Sequence, residues 1–68
     1  MISIARGRPA YRLVRVREVE ALVGKKRSSI YGDPTFPRPI KIGARASAWI
    51  EAEIFRWIEE RIAQRDAT

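Results

Sequence analysis

The sequence predicts a mainly α-helical domain with one small β-hairpin, and three observations within its 68 residues point there. Apolar residues recur at helical spacing over residues 16–23 and again, more regularly, over residues 50–62. Between these stretches, Ile40-Lys41-Ile42-Gly43 and Ala46-Ser47-Ala48-Trp49 read as two short strands around a glycine-marked turn. Pro37 and Pro39 keep the chain extended ahead of that hairpin. A chain of this size is one domain at most, close to the lower limit for folding without staples.

Each element follows in order. Residues 1–10 contain Gly7 and Pro9 and no sustained pattern, so they read as a flexible basic N-terminal arm, with the folded domain expected over residues 11–68. Tyr11 and Leu13 alternate with Arg12 in a short strand or extended lead-in. Val16–Val23 reads as a helix with Val16, Val19, Leu22 and Val23 on its inner face and Gly24 as its turn. Arg15 stands at its N-cap and offers no short side-chain acceptor, so packing rather than capping must hold this helix. Lys25-Lys26-Arg27-Ser28-Ser29-Ile30-Tyr31 opens a second short helix, its start favoured by the two serines, with Ile30 and Tyr31 directed inward. Gly32-Asp33-Pro34 stops it.

In the hairpin, Ile40 and Ile42 share one side and Lys41 points to the other. The last helix is expected over about Glu51 to Gln64, with Ile50, Ile54, Trp57, Ile58 and Ile62 in one stripe and Phe55 at its edge. Glu51 and Glu53 complement its positive N-terminal end, Arg61 and Arg65 its C-terminal end. The apolar arc is wider than a minimal stripe, so the excess either closes over the two short helices or meets another copy. Tyr11, Phe36, Trp49, Phe55 and Trp57 are the expected core anchors.

Composition removes whole classes of function. The chain has no cysteine and no histidine, which excludes disulfides, the usual zinc sites and the commonest catalytic bases and nucleophiles. Glu51, Glu53, Glu59 and Glu60 read as helix-end and solubility charges, so no enzyme, metal or cofactor is expected. The apolar stretches are too short to span a membrane and no signal peptide is visible, which makes the cytoplasm, at the nucleoid, the expected compartment. The net charge of +6 is unevenly placed. Residues 1–45 carry a net +8 and residues 46–68 a net −2, so the front two-thirds suits a polyanion and the last helix is its support.

A helix, a tight glycine turn, a basic helix and a basic hairpin together make a winged helix-turn-helix, an order suited to gripping double-stranded DNA. Arg27, near the start of the second helix, is the candidate for reading a guanine edge. Ser28, Ser29 and Tyr31 are secondary contacts, and Lys25 and Lys26 are candidate phosphate anchors. Lys41 and Arg45 sit at the wing, and Arg38, between two prolines, adds a phosphate contact. Arg6-Gly7-Arg8-Pro9 resembles the core of an AT-hook, so Arg6 and Arg8 are candidates for a minor-groove arm. The plainer alternative is a solvated basic turn and hairpin, with the wide stripe of the C-terminal helix docking on a partner protein. An RNA platform would need more exposed aromatics than this chain supplies.

These residues resemble the AlpA family of small phage and prophage regulators, within the wider MerR-like winged-helix group that includes excisionases. The similarity runs from about Tyr11 to Arg65. Its best segments are Leu13-Val14-Arg15-Val16-Arg17-Glu18-Val19, Val23-Gly24, Arg27-Ser28-Ser29-Ile30-Tyr31, Phe36-Pro37-Arg38-Pro39-Ile40-Lys41-Ile42-Gly43, Arg45-Ala46, Trp49-Ile50-Glu51-Ala52-Glu53-Ile54 and Trp57-Ile58. The resemblance implies that Arg27, Ser28, Ser29 and Tyr31 lie on the DNA-reading helix and Lys41 and Arg45 on the wing. It also implies control of prophage or mobile-element genes, or direction of site-specific excision. The chain departs from the family pattern by placing only Gly32-Asp33-Pro34-Thr35 between Tyr31 and Phe36. That shortens the second helix and shifts weight to the wing and the DNA backbone. So small a reading surface calls for adjacent copies, as a homo-oligomer or a cooperative array on DNA.

Overall fold

The first helix of the computed structural model, α1, spans Val16–Val23, and the model describes residues 11–67. Its N-cap, Arg15, is extended (φ −89°, ψ 168°) and makes no side-chain cap. Gly24 closes the other end in the left-handed conformation (φ 71°, ψ 22°), its N–H donating to the Glu20 carbonyl at 2.8 Å. No atom crowds the place where a Gly24 side chain would begin, so the demand for glycine here comes from the backbone angle alone. Val19 is fully buried, and Val16 and Val23 pack beside it. Leu22, expected on the inner face, is exposed, because it sits at the flank of an eight-residue helix whose partners cover only the Val19 side.

The second helix, α2, spans Arg27–Gly32. Its start falls one residue ahead of the serines: Lys26 is the N-cap, and its carbonyl accepts from the Ile30 N–H at 3.0 Å. Lys25 and Lys26 therefore belong to the turn rather than to the helix. Ile30 is buried, whereas Tyr31 is half exposed and touches the core only through its ring, edge-on to Trp49 with centroids 5.6 Å apart. Asp33 ends the helix in extended backbone (φ −91°, ψ 111°), as the following proline dictates.

Asp33 is also a clasp. Its carboxylate accepts from the Thr35 N–H at 2.9 Å, the Thr35 hydroxyl at 2.7 Å and the Lys25 ammonium at 2.9 Å. These donors, Thr35 first and then Lys25, hold the acid at a pKa of about 2, below its ordinary 3.8. The clasp delivers Phe36 into the core, where it meets Trp57 edge-on at 5.0 Å. Just beyond, the Trp49 indole N–H donates to the Pro37 carbonyl at 2.9 Å.

Three strands form an antiparallel sheet in the order β1 (Leu13–Val14), β3 (Ala46–Ile50), β2 (Ile40–Gly43). The expected two-stranded hairpin is present, and the lead-in adds a third strand to its far edge. The pairs Leu13–Ile50 and Val14–Trp49 fix that edge. Alternation then assigns the faces: Val14 and Trp49 point to the helices, and Leu13 and Ile50 away. This reverses the weight of the lead-in, since Val14 is buried while Tyr11 and Leu13 are exposed. Across β2, Ile40 pairs with Ala48 and Lys41 with Ser47, followed by a register shift before Gly43–Ala46. Lys41 thus shares the helix-facing side with Ser47 and Trp49. Ile40 and Ile42 are both exposed, and the turn itself is Ala44-Arg45.

β3 runs straight into α3, Glu51–Ala67, three residues longer than expected. The junction is tied by the Glu51 N–H donating to the Arg12 carbonyl at 2.8 Å, and by the Arg12 guanidinium bonded to the Glu51 carboxylate and, at 3.2 Å, to Glu18. That pairing raises the Arg12 pKa above its ordinary value, mainly through the Glu51 hydrogen bond. Ile54 is fully buried and Trp57 and Ile58 pack partly, but Ile62 and Phe55 are exposed. Seventeen residues of helix measure roughly 25 Å against roughly 12 Å for α1, so α3 outruns the body it covers. The core is Val14, Val19, Ile30, Phe36, Trp49 and Ile54. Of the expected aromatic anchors, Phe36 and Trp49 belong to it, Trp57 packs partly buried against it, and Tyr11 and Phe55 are exposed. No helix among the described residues is long and apolar enough to cross a membrane.

Candidate nucleic-acid interface

The N-terminal end of α1, the α2 helix and the tip of the hairpin converge on one open cleft of about 590 Å³. Arg15 and Arg17 come from the first, Arg27 and Tyr31 from the second, and Lys41, Arg45 and Ser47 from the third. Two features of the chain force this convergence. The left-handed turn at Gly24 swings α2 across α1, and the strand register directs Lys41 toward the helices rather than away from them.

Five cations line the cleft and no carboxylate does. Among the described residues, none of these five is in an ion pair. The Arg27 guanidinium lies 5.8 Å from the centre of the Tyr31 ring, and the Lys41 ammonium donates to the Ala44 carbonyl at a long 3.5 Å. Arg15 and Arg17 stand at the positive end of α1, where the helix dipole disfavours a cation. Like charges gathered without counter-charges, two of them against a helix dipole, raise the energy of the empty protein. A bound polyanion removes that cost.

The structure sorts the sequence candidates. Arg27, Tyr31, Lys41 and Arg45 meet in the cleft. Ser28 and Ser29 are exposed on α2 but do not line it, and Lys26 is exposed at the helix cap. Lys25 is turned the other way, half-buried in the Asp33 ion pair and 5.6 Å from the centre of the Trp57 ring. Arg38 lies instead along two other depressions, one beside Trp57 and Glu53, the other beside Tyr31 and Trp49. Arg6 and Arg8, with the whole arm of residues 1–10, lie outside the described residues.

Sequence reasoning missed Arg15 and Arg17. The signal was present: Arg12, Arg15 and Arg17 form a run of cations just ahead of a helix whose valines fix its inner face. The first helix of a helix-turn-helix also crosses the phosphate backbone. Only the fold reveals that Arg12 is consumed by Glu51 and Glu18, leaving the other two for the cleft.

The fold and the cleft define a class: a small helix-and-sheet domain with a cation-lined groove between two short helices and a hairpin. The chain belongs to the prophage CP4-57 regulatory protein (AlpA) family, whose model matches residues 12–62. It is 35% identical over 63 residues to the DNA-binding transcriptional activator AlpA of Escherichia coli K12, covering 79% of this chain and 90% of that one. It is also 39% identical over 57 residues to the uncharacterized protein ORF88 of enterobacteria phage P4, covering 79% of this chain and 65% of that one. No solved structure gives a significant match.

Proposed function

We propose that this protein is a non-enzymatic, sequence-specific binder of double-stranded DNA that regulates genes of a prophage or other mobile element. The observation that carries the reading is the meeting of Arg27 and Lys41 in one groove. Had they stood on opposite flanks, no single duplex could touch both. In this reading α1 and α2 are a helix-turn-helix and β2–β3 its wing, so residues 11–68 form a winged helix-turn-helix domain preceded by a basic arm. Arg27 reads bases from the major groove, with Ser28, Ser29 and Tyr31 beside it. Arg15, Arg17, Lys26 and Arg38 hold phosphates, and Lys41 and Arg45 straddle the backbone or enter the minor groove. The protein works at the nucleoid, and copies bound side by side supply the selectivity that one small module lacks.

The relative in E. coli is named a transcriptional activator, which favours regulation over direction of excision. Binding measured by fluorescence anisotropy against salt tests the electrostatic part. If Arg15, Arg17, Lys26 and Arg38 and the two wing cations, Lys41 and Arg45, each neutralise one phosphate, log K falls against log salt with a slope of about −5.4. A slope near zero overturns the reading.

A further inference from the structure

Base reading asks more of Arg27 than charge. A bidentate contact with a guanine edge needs the guanidinium plane held at one place and angle. Nothing in the local backbone supplies that. Arg27 is exposed at the first residue of a six-residue helix and is in no ion pair among the described residues. Its long side chain has many rotamers, and the like charges of Lys41 and Arg45 in the same cleft repel it toward solvent.

Tyr31 opposes this. It stands four positions further on, on the same face of α2, and the Arg27 guanidinium lies over its ring, 5.8 Å from the centroid. The ring is itself braced. It packs at 61° against Trp49, with centroids 5.6 Å apart. Trp49 is 1% exposed, and its indole N–H donates to the Pro37 carbonyl at 2.9 Å. The succession Pro37, Trp49, Tyr31, Arg27 thus runs unbroken from the core to an exposed cation. Burial does not account for an aromatic at this position, since Ile30 is the residue that α2 buries and Tyr31 stays 51% exposed.

We infer that Tyr31 is a positioning residue for sequence recognition: its ring, braced on Trp49, holds the Arg27 guanidinium ready for a base edge. The inference rests on the reading of the cleft as a DNA-binding surface, and it gives Tyr31 its role through Arg27 rather than through its own hydroxyl. A side chain already held loses less freedom on binding, an advantage of about two- to tenfold in affinity. The advantage falls on the preferred sequence, because a base edge fixes the geometry of its partner and carries the sequence information that a phosphate lacks.

Two measurements test this. In the DNA-free protein, nitrogen relaxation of the Arg27 Nε–H group by NMR reports how tightly the side chain is held. Its order parameter should be kept in Tyr31→Phe and fall in Tyr31→Leu. An order parameter equal in wild type and Tyr31→Leu overturns the inference whether or not the cleft binds DNA. On DNA, the probe is a duplex enriched by the wild-type protein from a random-sequence pool, compared with a scrambled version of it. Tyr31→Leu should lower the ratio of the two affinities about two- to tenfold, and Tyr31→Phe should keep the wild-type ratio. In an Arg27→Ala background, Tyr31→Leu should lower the ratio no further, because the group it positions is gone.

A loss in Tyr31→Phe as large as in Tyr31→Leu would assign the contact to the hydroxyl, and losses that add in the double variant would give the ring a contact of its own. Either result overturns the inference and leaves base reading intact. Equal losses from Arg27→Ala on both duplexes, or a pool that yields no preferred sequence, overturn base reading and with it the recognition role of Tyr31. Should Tyr31→Leu lose helix by circular dichroism, Tyr31→Met takes its place in both measurements.

Discussion

Arg27→Ala separates base reading from simple electrostatic attraction. The side chain is exposed, stands at the first residue of α2, is in no ion pair among the described residues, and lies over the Tyr31 ring at 5.8 Å. Losing that contact costs about 0.5–1 kcal/mol of stability, a small shift in the melting temperature. In the proposed complex the same residue donates two hydrogen bonds to a guanine edge, worth about 1–3 kcal/mol, or roughly a five- to 150-fold loss of affinity when removed. Only the cognate site should suffer the full loss. Competition binding on the cognate duplex and on a scrambled one measures both. The expected result is a large drop on the first and, on the second, only the smaller loss of one phosphate-neutralising charge. Equal losses on the two duplexes refute base reading by Arg27, and no loss on either refutes its place in the interface.

Two further predictions concern the neighbouring clasp. Lys25→Ala should leave the salt slope of DNA binding unchanged while lowering the melting temperature, because Lys25 is held by Asp33 and Trp57 and not by the cleft. A reduced slope in that variant would mean that Lys25 swings out to a phosphate. Asp33 contributes stability that is complete above its unfolded pKa of 3.8 and is lost as pH falls through its folded value of about 2. Asp33→Asn should therefore melt at lower temperature than wild type at neutral pH and lose less on acidification from pH 4 to pH 2. Parallel melting curves over that window would show that the clasp does not couple to folding.

The clasp also illustrates how far the primary structure could be read. Lys25, Lys26 and Arg27 are adjacent and chemically alike, and pattern alone groups them as one basic patch. Folding separates them: Lys25 goes to an acid eight positions later, Lys26 caps a helix, and Arg27 enters the groove. The arginines at 12, 15 and 17 divide in the same way. Nothing local distinguishes a cation with a partner from one without, because the partner comes from a distant part of the chain. For Arg12 and Glu51 the separation is 39 positions. The exposure of Tyr11, Leu22 and Phe55 has the same origin, since a residue's burial depends on whether a neighbouring element is long enough to cover it.

What residue order determined is what acts within a few positions. It set the two short helices with their stops at Gly24 and Asp33, the alternating hairpin, the long amphipathic helix and the gathering of positive charge in the first forty-five residues. Steric limits on backbone angles and the period of apolar residues are local physics, and they are legible one window at a time. Tertiary structure alone decided which cations stay free, that the lead-in becomes a strand beside Trp49, and that Lys41 faces α2. Those outcomes rest on strand register and ion pairing between remote segments, which exist only once the chain has closed on its core.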